Sequence, residues 1–175
     1  MTKIVRLAFG CQARVGKDAS CFYLQQKYPR SKTISFAKPL YDIQHFAQER
    51  CGFKKDKDRR FLQWVGSEWA RQQDPDVWTD IARNEIHQTP SDMSIFVSDV
   101  RFPNELRMLQ EEGFKTVRIV RDTNHTLDKS QQLHTSETSL VDVSLQDWDY
   151  VVYNNGTLDD LRFKLDQLAK RVENI

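Results

Sequence analysis

The stretch Lys3-Ile4-Val5-Arg6-Leu7-Ala8-Phe9-Gly10-Cys11-Gln12-Ala13-Arg14-Val15-Gly16-Lys17-Asp18 decides how this chain is read. Residues 3–9 form an apolar run of the kind found in buried strands, and they lead straight into a loop that ends in Gly16 and Lys17, where helical character begins. Strand, loop, lysine and helix start together make an anion cradle. Successive backbone N–H groups and the positive end of the helix converge on one phosphate, and Lys17 reaches the outer phosphates as a mobile point charge. The candidate nucleotide-binding residues are therefore Gln12, Ala13, Arg14, Val15, Gly16, Lys17, Asp18 and Ala19. Two positions depart from the usual pattern. The first loop glycine stands one step early, at Gly10, with Cys11 in its ordinary place. The residue after the lysine is Asp18 instead of the Ser or Thr whose hydroxyl ordinarily ligates Mg²⁺, so an Asp18 oxygen would serve the metal directly or through water.

Outward from this loop, residues 32–36, 94–98, 116–120 and 150–153 read as further strands, several of them nearly continuous in apolar character. Helical segments separate most of them. One opens near Lys17, one covers residues 39–51 with Pro39 in its first turn, and one follows Asn104 and stops at Gly113. The last opens at Thr157, where Asp160 completes a capping box, and carries Leu158, Leu161, Leu165, Leu168 and Val172 on one stripe. Strands alternating with helices predict an α/β fold: a three-layer sandwich around a five-stranded parallel sheet, with ligands at the carboxyl ends of the strands. The chain of 175 residues has the length of one domain, residues 1–175. Two insertions interrupt the alternation, a helical one at about residues 54–88 and a polar one at about 121–141. Both are candidates for parts that cover a substrate.

The run Ser94-Ile95-Phe96-Val97-Ser98-Asp99-Val100-Arg101 is an apolar strand ending in an acid. In enzymes with this loop, such an acid organises Mg²⁺, so Asp99 joins Asp18 as a metal candidate, and Arg101 would neutralise charge that develops during phosphoryl transfer. A cap at Asp99 with Arg101 as its ion-pair partner is the alternative.

With these pieces assembled, the chain resembles the bacteriophage deoxynucleoside monophosphate kinases, a P-loop family, over nearly its whole length. The resemblance rests on the order of several blocks. Ala13-Arg14-Val15-Gly16-Lys17-Asp18 is similar to that family's Gly-Lys-Asp form of the phosphate loop, although Ala19 stands where Thr is usual. Phe36-Ala37-Lys38-Pro39-Leu40, Leu62-Gln63-Trp64-Val65-Gly66-Ser67-Glu68-Trp69-Ala70-Arg71 and Asp74-Pro75-Asp76-Val77-Trp78 follow. Asp99-Val100-Arg101-Phe102-Pro103-Asn104-Glu105, His134-Thr135-Ser136-Glu137 and Asn154-Asn155-Gly156-Thr157 complete the order. The resemblance implies transfer of the γ-phosphoryl group of ATP to a deoxynucleoside 5′-monophosphate with Mg²⁺. It also implies His134 and Asn155 as ATP contacts, and Phe36, Lys38, Glu105 and Glu137 as acceptor contacts.

An acceptor with its own phosphate needs a second cationic site, and arginine's planar fork suits it. On a helix expected from about residue 59 to 72, Arg60, Gln63, Ser67 and Arg71 share one face, with Leu62, Val65 and Trp69 facing the core. Arg60 and Arg71 are candidates for the monophosphate, and Gln63 with Trp69 or Trp78 for the base. The basic run at residues 54–60 reads equally well as a solvated surface. The polar segment after the fourth strand reads as a lid that excludes water, with Arg118 and Arg121 at its entrance and Arg121 a candidate for transition-state charge. Little acid–base work is required, because the acceptor phosphate oxygen is already nucleophilic.

Composition narrows the partners. With 26 Lys and Arg against 25 Asp and Glu, the chain has no general attraction for nucleic acid or an anionic membrane. Three cysteines, Cys11, Cys21 and Cys51, lack metal-ligand spacing, which fits a reducing cytoplasm, the host's if the chain is viral. Base preference, discrimination against ribose and a homodimer are left open by the sequence. Two rival readings stand beside the kinase: a related P-loop kinase acting on a nucleoside or a modified base in DNA, and a non-catalytic nucleotide-binding regulator.

Overall fold

The computed structural model describes residues 3–10, 14–122, 139–140 and 143–173. Five strands, β1 (Arg6–Gly10), β2 (Ser31–Ile34), β3 (Ser94–Val100), β4 (Lys115–Val120) and β5 (Tyr150–Tyr153), form one sheet in the order β2-β3-β1-β4-β5. Every neighbouring pair is parallel. The expected α/β architecture is therefore the one that forms, and β1, which carries the phosphate loop, lies at its centre.

Side chains alternate across a strand, so each sheet face collects its own core. On β1, Leu7 and Phe9 join Val117 and Ile119 of β4 beneath α1 (Lys17–Lys27) and the C-terminal α7 (Leu158–Val172). Ala8 turns to the opposite face with Ile95 and Val97 of β3. That second face is covered by α5 (Val77–His87) and α6 (Pro103–Glu111), through Ala82, Ile86, Leu106 and Leu109. The remaining helices, α2 (Lys38–Arg50), α3 (Arg59–Gln63), a π-helical turn (Trp64–Trp69) and α4 (Ala70–Gln73), build the wall beyond β2 and β3. No helix among the described residues is long and apolar enough to cross a membrane.

Strand ends differ from the expectation for local reasons. β2 stops at Ile34 because Ser35, Phe36 and Ala37 turn to donate hydrogen bonds to Asp99. β3 runs on to Val100, which pairs with Gly10 after a register shift between Ala8 and Gly10. In α7 the capping box forms as expected, with the Asp160 carboxylate accepting from the Thr157 backbone N–H at 2.7 Å. Leu161, Leu165 and Leu168 are buried, whereas Leu158, expected on the same stripe, is half exposed at the helix start.

The one helix expected over residues 59–72 is a correction. It is broken into α3, the π-helical turn and α4, and the wider turn rotates the face that follows it. Val65 and Gly66 are buried, but Trp69, expected to face the core, is half exposed and lies against the Trp64 ring. The expected lid at residues 121–141 lies outside the described residues except for Arg121, Asp122, Ser139 and Leu140.

The displaced glycine has a packing reason. A Cβ at Gly10 would run into the ring carbons of Trp148, a buried side chain, and would lie 3.2 Å from Val100 Cβ. Gly10→Ala is therefore expected to cost about 1–3 kcal/mol of stability through overpacking. Urea unfolding checks this, and an unchanged midpoint would contradict the packing account.

Candidate active site

The phosphate loop lies between the end of β1 and the start of α1. Arg14 and Gly16 both have positive φ, 63° and 110°, so the chain curls tightly just ahead of Lys17. Among the described residues no side chain caps α1 at Gly16, an arrangement suited to an anion. Lys17 is buried at 7% exposure, beside the thiol of Cys21. Burial pushes that thiol far up from its ordinary value, and the nearby charges of Asp18 and Asp99 push it further. Val15 is buried, whereas Arg14, Asp18 and Ala19 are exposed. Gln12 and Ala13 lie outside the described residues, as do His134 and Glu137.

Asn154 carries no expected role of its own within the block Asn154-Asn155-Gly156-Thr157, yet its side chain pins this loop. Its amide donates to the Val15 carbonyl at 2.8 Å, and its own backbone N–H donates to Val120 at 2.7 Å. A Cβ at Gly16 would lie 2.8 Å from the Asn154 amide nitrogen, so that glycine is required by close approach as well as by φ. The one available signal was its place at the end of an apolar strand. Its neighbour Asn155 instead holds Asp122: the Asn155 carbonyl oxygen accepts from the Asp122 N–H at 2.9 Å, and its amide donates to the Asp122 carboxylate.

At the end of β3, Asp99 accepts three hydrogen bonds, from Ser35 Oγ at 2.7 Å, Ala37 N at 2.9 Å and Phe36 N at 3.2 Å. The carboxylate thus fastens the turn that precedes α2. A carboxylate offers roughly four lone-pair sites, so Asp99 retains room for contact with a metal through water. Asp18, exposed on the first turn of α1, is the less committed donor. No group of three or more His, Cys, Asp or Glu side chains among the described residues is placed to hold a metal by itself. This donor set fits Mg²⁺, which takes most of its ligands from phosphates and water.

A cavity of about 290 Å³ reaches from Asp18, next to the phosphate-loop lysine in sequence, to residues expected to hold the acceptor. Its lining includes Asp18, Asp99 and Arg101 together with Phe36, Gln63, Arg71, Trp78 and Glu105. Trp78 is buried, with its indole N–H donating to the Gly66 carbonyl at 2.9 Å. Three expected acceptor residues lie outside the cavity lining: Arg60 is exposed, Lys38 pairs with Asp42 at 2.9 Å, and Trp69 lies on the outer surface. The cations that line the wall instead are Lys57 and Arg59, with Tyr41 and Ser67 beside them. The Gln44 and Gln48 amides both donate to the Asp56 carbonyl, which fixes this basic segment against α2.

Arg71 is held on three sides. Its guanidinium donates to Glu105 at 2.5 Å and to the Pro75 carbonyl at 3.2 Å, and it sits 3.9 Å from the centre of the Phe102 ring. Burial pushes the Glu105 carboxyl up to about 7, while the Arg71 charge and the backbone N–H groups of Arg101 and Phe102 pull it down. On β4, Arg118 donates to the Val143 carbonyl at 2.8 Å. The Nε of Arg121 is buried without a hydrogen-bond partner among the described residues.

Replacing Asn154 by Ala strips the buried Val15 carbonyl of its donor, and the expected cost is about 1–3 kcal/mol. Denaturant unfolding reads it. Asn154→Asp should be no better, since a carboxylate cannot donate to a carbonyl; wild-type stability in either variant would contradict the pinning role.

The fold is like that of dephospho-CoA kinase from Campylobacter jejuni, with a TM-score of 0.50, 14% identity, and coverage of 95% of this chain and 97% of that one. At such identity the likeness concerns the fold. A stretch of 139 residues is 30% identical to an uncharacterized protein, ORF77, of Ictalurid herpesvirus 1 (strain Auburn), covering 77% of this chain. The match spans 58% of that relative's length. The sequence pattern of the deoxynucleotide monophosphate kinase family matches residues 54–165, which include Lys57, Arg59, Gln63, Arg71, Trp78, Asp99, Arg101 and Glu105 of the cavity lining. The chain therefore belongs to the deoxynucleotide monophosphate kinase family.

Proposed function

We propose that the protein transfers the γ-phosphoryl group of ATP to a deoxynucleoside 5′-monophosphate, giving ADP and the deoxynucleoside diphosphate. The observation that carries this reading is the shared cavity: the residue after the phosphate-loop lysine, Asp18, and the acceptor-side arginine, Arg71, line the same space. A donor phosphate at the loop and an acceptor phosphate at Arg71 would then face each other without intervening protein. Residues 1–175 form one P-loop kinase domain in this reading, with residues 54–88 as the acceptor-binding insertion and 121–141 as the lid.

In the reaction an oxygen of the acceptor phosphate forms the new bond to the γ-phosphorus, and the bond from that phosphorus to its bridging oxygen breaks, leaving ADP. The attacking oxygen is already anionic, so no general base is assigned, and the protein's task is positioning and charge neutralisation. Arg14, Val15, Gly16, Lys17 and Ala19 would hold the donor phosphates through the loop and the α1 N-terminus. Lys17, Arg101 and Arg121 would meet the charge on the transferring group. Mg²⁺ bound through Asp18, and through water to Asp99, would supply Lewis-acid neutralisation of the phosphate oxygens. On the acceptor side Arg71 would grip the monophosphate, with Arg59 and Lys57 taking the place first assigned to Arg60. Phe36, Gln63 and Trp78 would border the base.

Two variants test the division of labour by steady-state kinetics. Lys17→Ala is expected to lower kcat by about 10²-fold or more, as loss of a transition-state charge partner does. Arg71→Ala should instead raise the monophosphate KM by about tenfold or more and leave the ATP KM nearly unchanged. Full activity in the first variant, or an unchanged monophosphate KM in the second, would overturn the assignments.

A further inference from the structure

Glu105 has a task beyond its helix. As the third residue of α6 it reaches back to the start of the helix, where Oε2 accepts from the Phe102 N–H at 3.1 Å. A cap of that kind needs only one oxygen and works at the surface. Glu105 is 2% exposed, Oε2 also accepts from the Arg101 N–H at 2.8 Å, and Oε1 is bonded to Arg71. One carboxylate therefore spans two of the arginines that line the cavity, gripping the side chain of Arg71 and the backbone of Arg101. Arg71 spends two of its five N–H donors on Glu105 and Pro75, and the ring of Phe102 supports its flat face, so a planar fork is held ready with donors to spare.

The geometry points to Glu105 as a positioning residue that presents Arg71 to the acceptor phosphate and keeps it in register with Arg101; this deepens the functional reading above and rests on it. A buried Arg–Glu pair kept only for stability would not be expected to discriminate between the two substrates. A positioning pair would, because the acceptor meets the arginine that Glu105 aims, whereas the ATP loop is built from β1, α1 and Asn154. The charged groups facing Glu105 are Arg71 from α4 and Asp99 from β3. An amide at this position cannot replace the carboxylate, since it has one acceptor oxygen for two sets of donors.

The test is a double-mutant cycle in kinetic constants, run on the full chain with ATP and a deoxynucleoside monophosphate. Glu105→Gln is expected to raise the acceptor KM about tenfold and leave the ATP KM within about twofold. In an Arg71→Ala background the same change should add less than about twofold to the acceptor KM, because the residue it acts through is gone. Equal effects in both backgrounds, or an unchanged acceptor KM in folded Glu105→Gln, would overturn the inference. If Glu105→Gln fails to fold, Arg71→Lys decides: it keeps the charge beside Glu105 but lacks the fork, and a wild-type acceptor KM would overturn the proposal. Absence of transfer by the wild-type chain to any monophosphate would instead overturn the functional reading itself.

Discussion

The carboxylate of Asp99 fixes the geometry on which the cavity depends. It sits at the end of β3, and three donors from residues 35–37 converge on it immediately before α2 begins. These are charge-assisted bonds, roughly twice as strong as neutral ones, and they join a central strand to the first turn of a helix whose dipole also favours a negative partner. Leu40 and Tyr41 of that helix line the cavity, so their placement follows from one side chain at the sheet edge of the site. A few residues further on, Glu105 ties the same strand end to α4. Both walls of the acceptor space are thus anchored to the carboxyl end of β3, where doubly wound sheets collect their ligands.

The charges in the cavity follow from the same arrangement. Asp18, Asp99 and Glu105 share it with Lys57, Arg59, Arg71 and Arg101. Two unit charges about 4 Å apart interact by about 4 kcal/mol at an effective dielectric constant near 20, so carboxylates beside two phosphate-bearing substrates are costly unless occupied. Asp99 is occupied by backbone and hydroxyl donors, and Glu105 by Arg71 and two N–H groups. Asp18 stands in the first turn of α1, where the helix dipole tolerates it and where a divalent cation would turn its charge to use.

The sheet was legible in the sequence because its strands are apolar and its first loop has few alternative meanings. Five strands were expected and five form; β1 begins at Arg6, three residues later than expected, and β2 stops early where Asp99 takes the donors of residues 35–37. The acceptor wall was legible only in part. A period of 3.6 residues assigned the faces of residues 59–72, and the π-helical turn at Trp64–Trp69 broke that period, moving Trp69 outward. Arg71 keeps its place in the cavity because it is fixed by Glu105 and Phe102 and not by helical phase. Asn154 was hidden because an asparagine at a strand end looks like an ordinary turn residue until the loop it touches is folded against it. Glu105 was expected only as an acceptor contact; its bonds to Arg71 and to the Phe102 N–H depend on the folded chain.

The central claim is that this cavity brings a donor and an acceptor phosphate together, and the most direct measurement is nucleotide-coupled ADP release with Mg²⁺-ATP against the full set of ribo- and deoxyribonucleoside 5′-monophosphates. The account predicts stoichiometric ADP and deoxynucleoside diphosphate with at least one deoxynucleoside monophosphate. ATP binding without turnover on any monophosphate, or phosphorylation confined to DNA or to nucleosides, would contradict it.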